Sequence, residues 1–501
     1  MFKLRKYQEE AIEDCMEVLN HKSKKSIAVL PTGAGKSLII AECVKRLNKP
    51  VLILQPSKEL LKQNYGKFMA VGGKASIYCA SLKEKTIKKQ DYTKINGDYK
   101  KCKEVSKVTY ATIGSIKKEI DTLKKLGVRH IIIDEVHLQS KVGSQLRGFL
   151  KKLNIKTVLG LTATPIYLEG GMNGSRLIMI NRSYATIFRD ICHVTQIEEL
   201  VKNKYWSPLK YKVITTDDSI LQLNTAGSDY TEHSQKKYYE ANNIKDQIVE
   251  EVKKLKKEGR KRILIFVPTI FEANELYGLI PNSAVVHSKL SQEERDFMVE
   301  EFTNGDIPVA INVNVLSVGY DNPEIDAIIT ARPTSSIALF YQQIGRGCRI
   351  HLDKENCIIT DFSGNTKRFG RVEGLKFESI PVYGWGLFNE DNQLLTDYPI
   401  ATSIKPTKDS LSKPEPEYKI DPIELFLNPK KEVLEPVFYF GKYKDKKFWD
   451  IVNSNKKEEV KSYCIWIIEN YNKGEFTFYG ESGEVLRKAI FKFLQLSLKT
   501  S

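Results

Sequence analysis

Short apolar runs recur along this chain in two series, each run separated from the next by a segment with helical spacing. The first series comprises residues 27–30, 51–54, 131–133 and 158–161; the second comprises 262–267, 284–287, 309–313, 327–330 and 357–362. Strands that are apolar on both faces belong inside parallel sheets covered by helices on each side, since a solvent-facing strand would alternate. The pattern restarts after Gly259, which argues for a second domain and against one enlarged sheet. The expected fold class is therefore α/β, with two tandem parallel-sheet domains and a small α+β module at the C-terminus.

Breaks in the pattern set the expected boundaries. A first domain spans 1–206, and a polar, weakly periodic segment at 207–243 connects it to a second domain at 244–385. A linker follows at 386–436, where Pro406, Pro414, Pro416, Pro422, Pro429 and Pro436 favour extended chain, and the C-terminal module occupies 437–501. The lysine-rich stretch 82–107 reads as a solvated surface insertion in the first domain.

Among the 501 residues, 78 Lys and Arg against 62 Asp and Glu give a formal charge of +16, which favours a polyanionic partner without specifying a fold. The eight cysteines include no CxxC pair, so neither a zinc ribbon nor a disulfide framework is expected, and a reducing compartment is. No N-terminal apolar core of signal length and no stretch long enough to cross a bilayer is visible. The expectation is a cytoplasmic protein with no membrane and no zinc partner.

The segment SIAVLPTGAGKS places a strand directly before a glycine-bearing turn and then an apolar helix. Gly33 and Gly35 let the backbone of Thr32, Gly33, Ala34 and Gly35 curl so that its N–H groups face phosphates. Lys36 would reach the terminal phosphates of ATP, and the Ser37 hydroxyl would ligate Mg²⁺. Downstream, HIIIDEVH ends an apolar strand in an acidic pair. Asp134 can hold Mg²⁺ through water, and Glu135 can orient and deprotonate an attacking water.

Further segments bring in a family. Asp134-Glu135-Val136-His137 resembles the DExH box, LTATP (161–165) resembles helicase motif III, and LRKYQEEAI (4–12) resembles the adenine-reading Q motif through Arg5, Tyr7 and Gln8. The sequence QQIGRGCR (342–349) resembles motif VI, and NVLSVGYD (314–321) resembles motif V. Together these segments resemble the superfamily-two DExH helicases, with two RecA-like domains clasping one ATP.

The resemblance implies that His137, Thr162, Ala163 and Thr164 couple the nucleotide site to nucleic acid, and that Gln342, Gly319 and Asp321 contact nucleotide. It implies that Arg346 and Arg349 are arginine fingers; three apart, they are expected on one helix face. Nucleic-acid contacts are implied for Pro56, Ser57 and Gln63 in QPSKELLKQ, Thr109 and Thr112 in TYATIGSI, His287 and Ser288, and Asn314. Hydroxyls and amides of this kind bind phosphates without reading bases. Val313 departs from the threonine of many relatives.

DFSGNTKRFG (361–370) resembles the segment after motif VI in RadD-like repair helicases and related phage helicases, although their cysteine-rich zinc element is missing here. The segments FYFGKYKDKKFWDIV and YCIWIIENY resemble a small FGKYKG-type domain, in which Tyr439, Tyr443, Phe448 and Trp449 among Lys442, Lys444, Lys446 and Lys447 form either a base-stacking surface or an aromatic mini-core.

The function these resemblances imply is an ATP-dependent DNA helicase or translocase acting on branched or partly single-stranded DNA, with replication or recombination proteins as its companions. DNA is favoured over RNA as the track. An RNA remodelling enzyme and the translocating subunit of a restriction or defence nuclease are the alternatives. Comparing ATPase stimulation by DNA and RNA separates the first; metal-dependent cleavage that survives Lys36→Ala would revive the second.

Overall fold

The computed structural model describes residues 4–80, 105–139, 145–171, 174–182, 186–224, 227–316, 320–380 and 384–396, and near the C-terminus 438, 443, 446–453, 457–473, 486–487, 489–490 and 493–494. Gly319, the proline-rich 401–436 and most of the lysine-rich 82–107 lie outside the described residues.

In the first domain the strands are β1 (Lys25–Val29), β2 (Val51–Gln55), β3 (Ser76–Tyr78), β4 (Val108–Thr112), β5 (His130–Ile133), β6 (Thr157–Thr162), the hairpin β7 (Ile166–Gly171) and β8 (Gly174–Met179), and β9 (Asp190–Val194). All but the hairpin join one parallel sheet in the order β3-β4-β2-β5-β6-β1-β9. The interior strands are buried along almost their whole length, which is why they read as unbroken apolar runs. Three helices matter for the site: α1 (Lys6–Asn20), α2 (Lys36–Leu47) and α3 (Lys58–Ala70).

Register gathers the chemistry on one edge. Val29 pairs with Thr162, Leu54 with Ile133, and Ile133 with Gly160. The turn after β1, Gln55, Asp134 and the Thr162 segment therefore leave the sheet side by side at its C-terminal edge, where open parallel sheets bind ligands.

The second domain contains β10 (Leu209–Val213), β11 (Ile263–Phe266), β12 (Ser283–Val286), β13 (Val309–Asn312), β14 (Ala327–Thr330) and β15 (Cys357–Asp361), all parallel, in the order β10-β15-β14-β11-β13-β12. Alternate residues face opposite ways: Leu264, Phe266, Ala310 and Ile328 share an apolar cluster with the first domain, whereas Ile263, Ile265, Ile311 and Ile329 pack on the far face.

The segment 207–243 differs from the expected connection. Residues Leu209–Val213 form the edge strand of the second sheet, and helix Glu232–Ala241 packs there with Tyr238 Oη donating to Phe362 O at 2.7 Å. One face of this strand is left uncovered, with Lys210 and Lys212 exposed on it, so it escapes a search for apolar runs.

Past the second domain, β16 (Lys376–Ile380) and β17 (Gly384–Phe388) form an antiparallel hairpin that returns to the first domain. The Gln196 amide brackets Phe377: its nitrogen donates to the Phe377 carbonyl, and the Phe377 N–H donates to its oxygen at 3.1 Å. Arg182 Nη2 donates to Trp385 O at 2.6 Å. The expected boundary at 385 thus falls inside a unit that ties the two domains together a second time.

The C-terminal residues described include helices Phe448–Val452 and Lys457–Lys473. Phe438, Tyr443 and Phe448 pack together with Val460, Cys464 and Ile467. Tyr443 and Phe448 are buried core aromatics and are not available to stack bases; Tyr439, Lys442 and Lys444 lie outside the described residues. Among the described residues no helix is long and apolar enough to cross a membrane.

Gln196→Leu removes both hydrogen bonds that hold Phe377 and leaves its buried N–H without an acceptor. The expected cost is about 1–3 kcal/mol, read as a lowered midpoint of the first transition in urea unfolding; an unchanged midpoint would show that the hairpin is held elsewhere.

Candidate active site between the two domains

The turn after β1 adopts the expected phosphate-loop shape. Gly33 and Gly35 have φ of +84° and +85°, and a Cβ on Gly35 would lie 2.6 Å from Gln8 Nε2, so both backbone conformation and space require glycine there. Gly35 is the N-cap of α2 and no side chain caps it; the Leu38 N–H bonds back to Gly35 O at 2.9 Å, which leaves the N–H groups of Lys36 and Ser37 for an anion.

Arg5, Tyr7 and Gln8 stand behind this loop. Tyr7 Oη and Gln8 Nε2 each donate to Ala34 O at 2.9 Å, Gln8 Oε1 accepts from Arg5 N at 3.0 Å, and the Arg5 guanidinium lies 4.1 Å over the Tyr205 ring. In place of a freely exposed adenine reader, the structure has Gln8 bracing the phosphate loop, with one N–H and one lone pair left for a base edge.

The acidic pair follows β5. Lys36 Nζ lies 3.2 Å from Glu135 Oε1, and both side chains are nearly buried. Glu135 has φ of +44°, a conformation that side-chain-bearing residues rarely adopt and that concentrates at functional sites. Burial tends to raise its carboxyl, but Lys36 and then His137 outweigh that and hold it below the ordinary glutamate value. Burial, then the neighbouring Glu135 charge, pushes Asp134 up to about 6. Asp134 Oδ1 accepts from Glu135 N at 3.0 Å, and Oδ2 accepts from Asn64 Nδ2 at 2.7 Å.

The second domain supplies the opposite wall. Helix Ile337–Ile344 ends at Gly345, so Arg346 and Arg349 do not share a helix face as expected. They project from the turn that follows, where Gly345 lets the second domain approach the phosphate loop: a Cβ there would lie 2.9 Å from Thr32 Cβ. Both arginines nevertheless line the same cleft as Thr32, Gly33, Gly35, Lys36, Ser37, Asp134 and Glu135. Burial, with Arg349 alongside, pushes the Arg346 guanidinium down to about 10, so it stays charged at neutral pH. Arg346 donates to Gln342 O at 3.3 Å and to Tyr320 O. Arg349 Nη1 lies 3.1 Å from Asp321 Oδ1, and Asp321 Oδ2 accepts from Gln63 Nε2 at 3.1 Å, with Lys67 Nζ at 3.5 Å.

Residues outside the expected set clamp the loop. The Thr32 N–H donates to Tyr341 Oη at 3.4 Å, and Thr32 O accepts from Trp206 Nε1 at 2.9 Å. One loop residue is thereby held by the motif VI helix and by the interdomain junction together. The signal for Trp206 was its place at the end of the first domain.

The coupling residues form a chain across the interface. Gln342 Nε2 faces His137 Nε2 at 3.0 Å, and His137 Nδ1 lies 2.7 Å from Thr162 Oγ1, which also accepts from Thr164 N at 3.0 Å. With an amide N–H on Nε2, that ring nitrogen accepts and Nδ1 carries the proton toward Thr162. Ala163 lines the cleft beside them. Gln342, expected on the nucleotide, lines the same cleft and is also the second domain's link in this chain.

The expected nucleic-acid residues separate into two groups. Ser57 caps α3, accepting from Leu60 N at 3.3 Å, with half-buried Pro56 beside it; Thr112 lies half-buried, paired with Ser115 at 2.9 Å; Ser288 and Asn314 are exposed, with His287 buried at the end of β12. Thr109 is a correction: it is fully buried, its hydroxyl bound to Ser106 and Ser76, so it cannot touch a strand. Gln63 is another, because it points into the nucleotide cleft toward Asp321. Among the described residues no group of three His, Cys, Asp or Glu is arranged to hold a metal ion.

Comparison with known proteins fits this geometry. Residues 1–167 match the family described as Type III restriction enzyme, res subunit, and residues 244–351 match the Helicase conserved C-terminal domain. A protein described as an ATP-dependent helicase, IRC3 of Saccharomyces cerevisiae, is 25% identical over 370 residues, covering 72% of this chain and 51% of the relative. A 51.5 kDa protein of a Lactococcus phage is 28% identical over 338 residues, covering 66% and 64%. RecS of Bacillus subtilis, described as an ATP-dependent DNA helicase, is 23% identical over 359 residues, covering 69% and 62%. The chain thus spans between half and two thirds of the length of these curated relatives. A fragment described as the HsdR subunit of a type I restriction enzyme from Vibrio vulnificus shares the fold at a TM-score of 0.52 and 18% identity, over 73% of this chain and 65% of that one. With two parallel-sheet domains, a phosphate loop and acidic pair in one, and two arginines from the other in the same cleft, the chain belongs to the superfamily-two helicases.

Proposed function

We propose that this chain hydrolyses ATP in the cleft between its domains and uses the resulting opening and closing to move along, or remodel, branched or partly single-stranded DNA. The observation that carries this reading is the split site: Lys36, Ser37, Asp134 and Glu135 come from one domain and Arg346 and Arg349 from the other, yet all line one cleft. Lys36 and the uncapped start of α2 suit the phosphates. Glu135, kept ionised beside Lys36, can accept a proton from water. Arg346 and Arg349 can neutralise the charge that develops on the departing phosphates, but only while the domains are closed, which makes hydrolysis sensitive to interdomain motion.

The residues present suit Mg²⁺. Ser37 Oγ and Asp134 Oδ2 are hard oxygen donors bridged by one amide, so they point into the same small volume. When bound there, the ion supplies charge neutralisation to the phosphates. The chain His137, Gln342 and Thr162 is the route by which strand occupancy would bias closure.

A DNA track and a role in replication, recombination or repair are supported by the DFSGNTKRFG segment, and a backbone grip tolerates either sugar. The match of residues 1–167 to a restriction-enzyme family favours, as a second reading, a translocating subunit that works with a nuclease partner.

Lys36→Ala and Glu135→Gln are both expected to lower turnover by at least about a hundredfold, the first with weakened nucleotide binding and the second without. In the unsubstituted protein, single-stranded and forked DNA are expected to stimulate ATPase more than RNA of the same length. Stimulation by RNA alone would overturn the DNA reading, and no stimulation by either would overturn the motor.

His137→Ala and Gln342→Ala should each reduce DNA-stimulated ATPase, while the double variant loses little more than either. That non-additivity corresponds to a coupling of about 0.5–3 kcal/mol; strictly multiplicative losses would show that the two side chains do not act as a unit.

A further inference from the structure

The buried stripe of α3 consists of Leu60, Leu61, Asn64, Tyr65 and Phe68. Asn64 breaks its apolar character in the middle of a helix, where asparagine is a poor former and a buried amide is costly unless its bonds are made. They are made. Its Oδ1 accepts from Ser37 Oγ at 2.5 Å, and its Nδ2 donates to Asp134 Oδ2 at 2.7 Å and to Gln55 Oε1 at 3.0 Å. The side chain is 2% exposed.

We propose that Asn64 is a positioning residue that fixes the spacing and lone-pair direction of Ser37 Oγ and Asp134 Oδ2, preparing them for a divalent cation before it arrives. The inference rests on the ATP-binding reading above.

The chemistry follows from donor and acceptor roles. Because Asn64 Oδ1 takes the Ser37 hydroxyl proton, the lone pairs of Ser37 Oγ stay free for a cation. Because Nδ2 occupies one side of Asp134 Oδ2, the carboxylate is held in one rotation with its other lone pair open. A serine would be too short to reach both oxygens, a leucine could bond neither, and an aspartate would repel Asp134. Only an amide of this length donates to the carboxylate and accepts from the hydroxyl at once. Groups that orient metal ligands in this way typically contribute about 10- to 100-fold in metal affinity. Gln55, at the end of β2, holds the amide's second N–H and so keeps it from flipping.

The test is binding of a fluorescent ATP analogue to the full chain, titrated with Mg²⁺ and repeated in EDTA, for the unsubstituted protein and Asn64→Leu. The leucine variant is expected to bind the analogue in EDTA within about twofold of the unsubstituted protein, while its Mg²⁺ half-saturation rises about 10- to 100-fold. If it fails to fold, Asn64→Ser is expected to give the same shift. An unchanged Mg²⁺ half-saturation in a folded variant overturns the proposal. So does an equal loss of affinity with and without Mg²⁺, which would mark ordinary damage to the phosphate loop. Failure of the unsubstituted protein to bind the analogue at all would instead overturn the nucleotide reading on which the proposal rests.

Discussion

Lys36 and Glu135 face each other at 3.2 Å in a cleft almost closed to solvent, and the surrounding structure is arranged to keep charge matched there. A buried ion is tolerable only with a partner; removing one side of such a pair typically costs about 3–5 kcal/mol. The cleft holds four cations, Lys36, Lys67, Arg346 and Arg349, against three carboxylates, Asp134, Glu135 and Asp321. Two of those cations belong to each domain, so closing the cleft concentrates positive charge that an anion can neutralise. The first domain brings two cations against two carboxylates, so the excess positive charge enters with Arg346 and Arg349 of the second.

The backbone is fitted to the same requirement. Glycines at 33 and 35 carry the left-handed turns of the loop, and Gly345 removes the Cβ that would otherwise hold the second domain away from Thr32. Trp206 and Tyr341 then take both backbone polar groups of Thr32. Helix α3 ties the remaining parts together: its N-cap Ser57 lies on the side expected to meet a strand, Asn64 reaches Ser37 and Asp134, and Gln63 and Lys67 reach across to Asp321. A rigid helix with contacts at both ends is well suited to pass a displacement from strand to nucleotide.

Much of this was legible in the sequence because the decisive elements are central and buried. The interior strands β1, β2, β5 and β6 read as apolar runs, and the loop and acidic pair occur where those runs end. What escaped had physical reasons. β10 is an exposed edge with lysines on its open face. Thr109 resembles a contact residue by motif, but the strand that carries it lies between two others and its hydroxyl turns inward. Arg346 and Arg349 were expected on a helix, although glycines at 345 and 347 are themselves a stop signal, and the turn brings both guanidiniums to the cleft. Asn64 left a trace that periodicity could have found: a carboxamide within an apolar helical stripe.

The central claim is that catalysis needs groups from both domains at once. The most direct measurement is single-turnover hydrolysis of pre-bound ATP by Arg346→Ala and Arg349→Ala variants, with nucleotide affinity measured in parallel. The account predicts that the chemical step falls by at least about a thousandfold, in the range that arginine fingers contribute, while ATP stays bound to the Lys36 domain. Hydrolysis at the unsubstituted rate in both variants would contradict it, because the cleft would then work without its second wall.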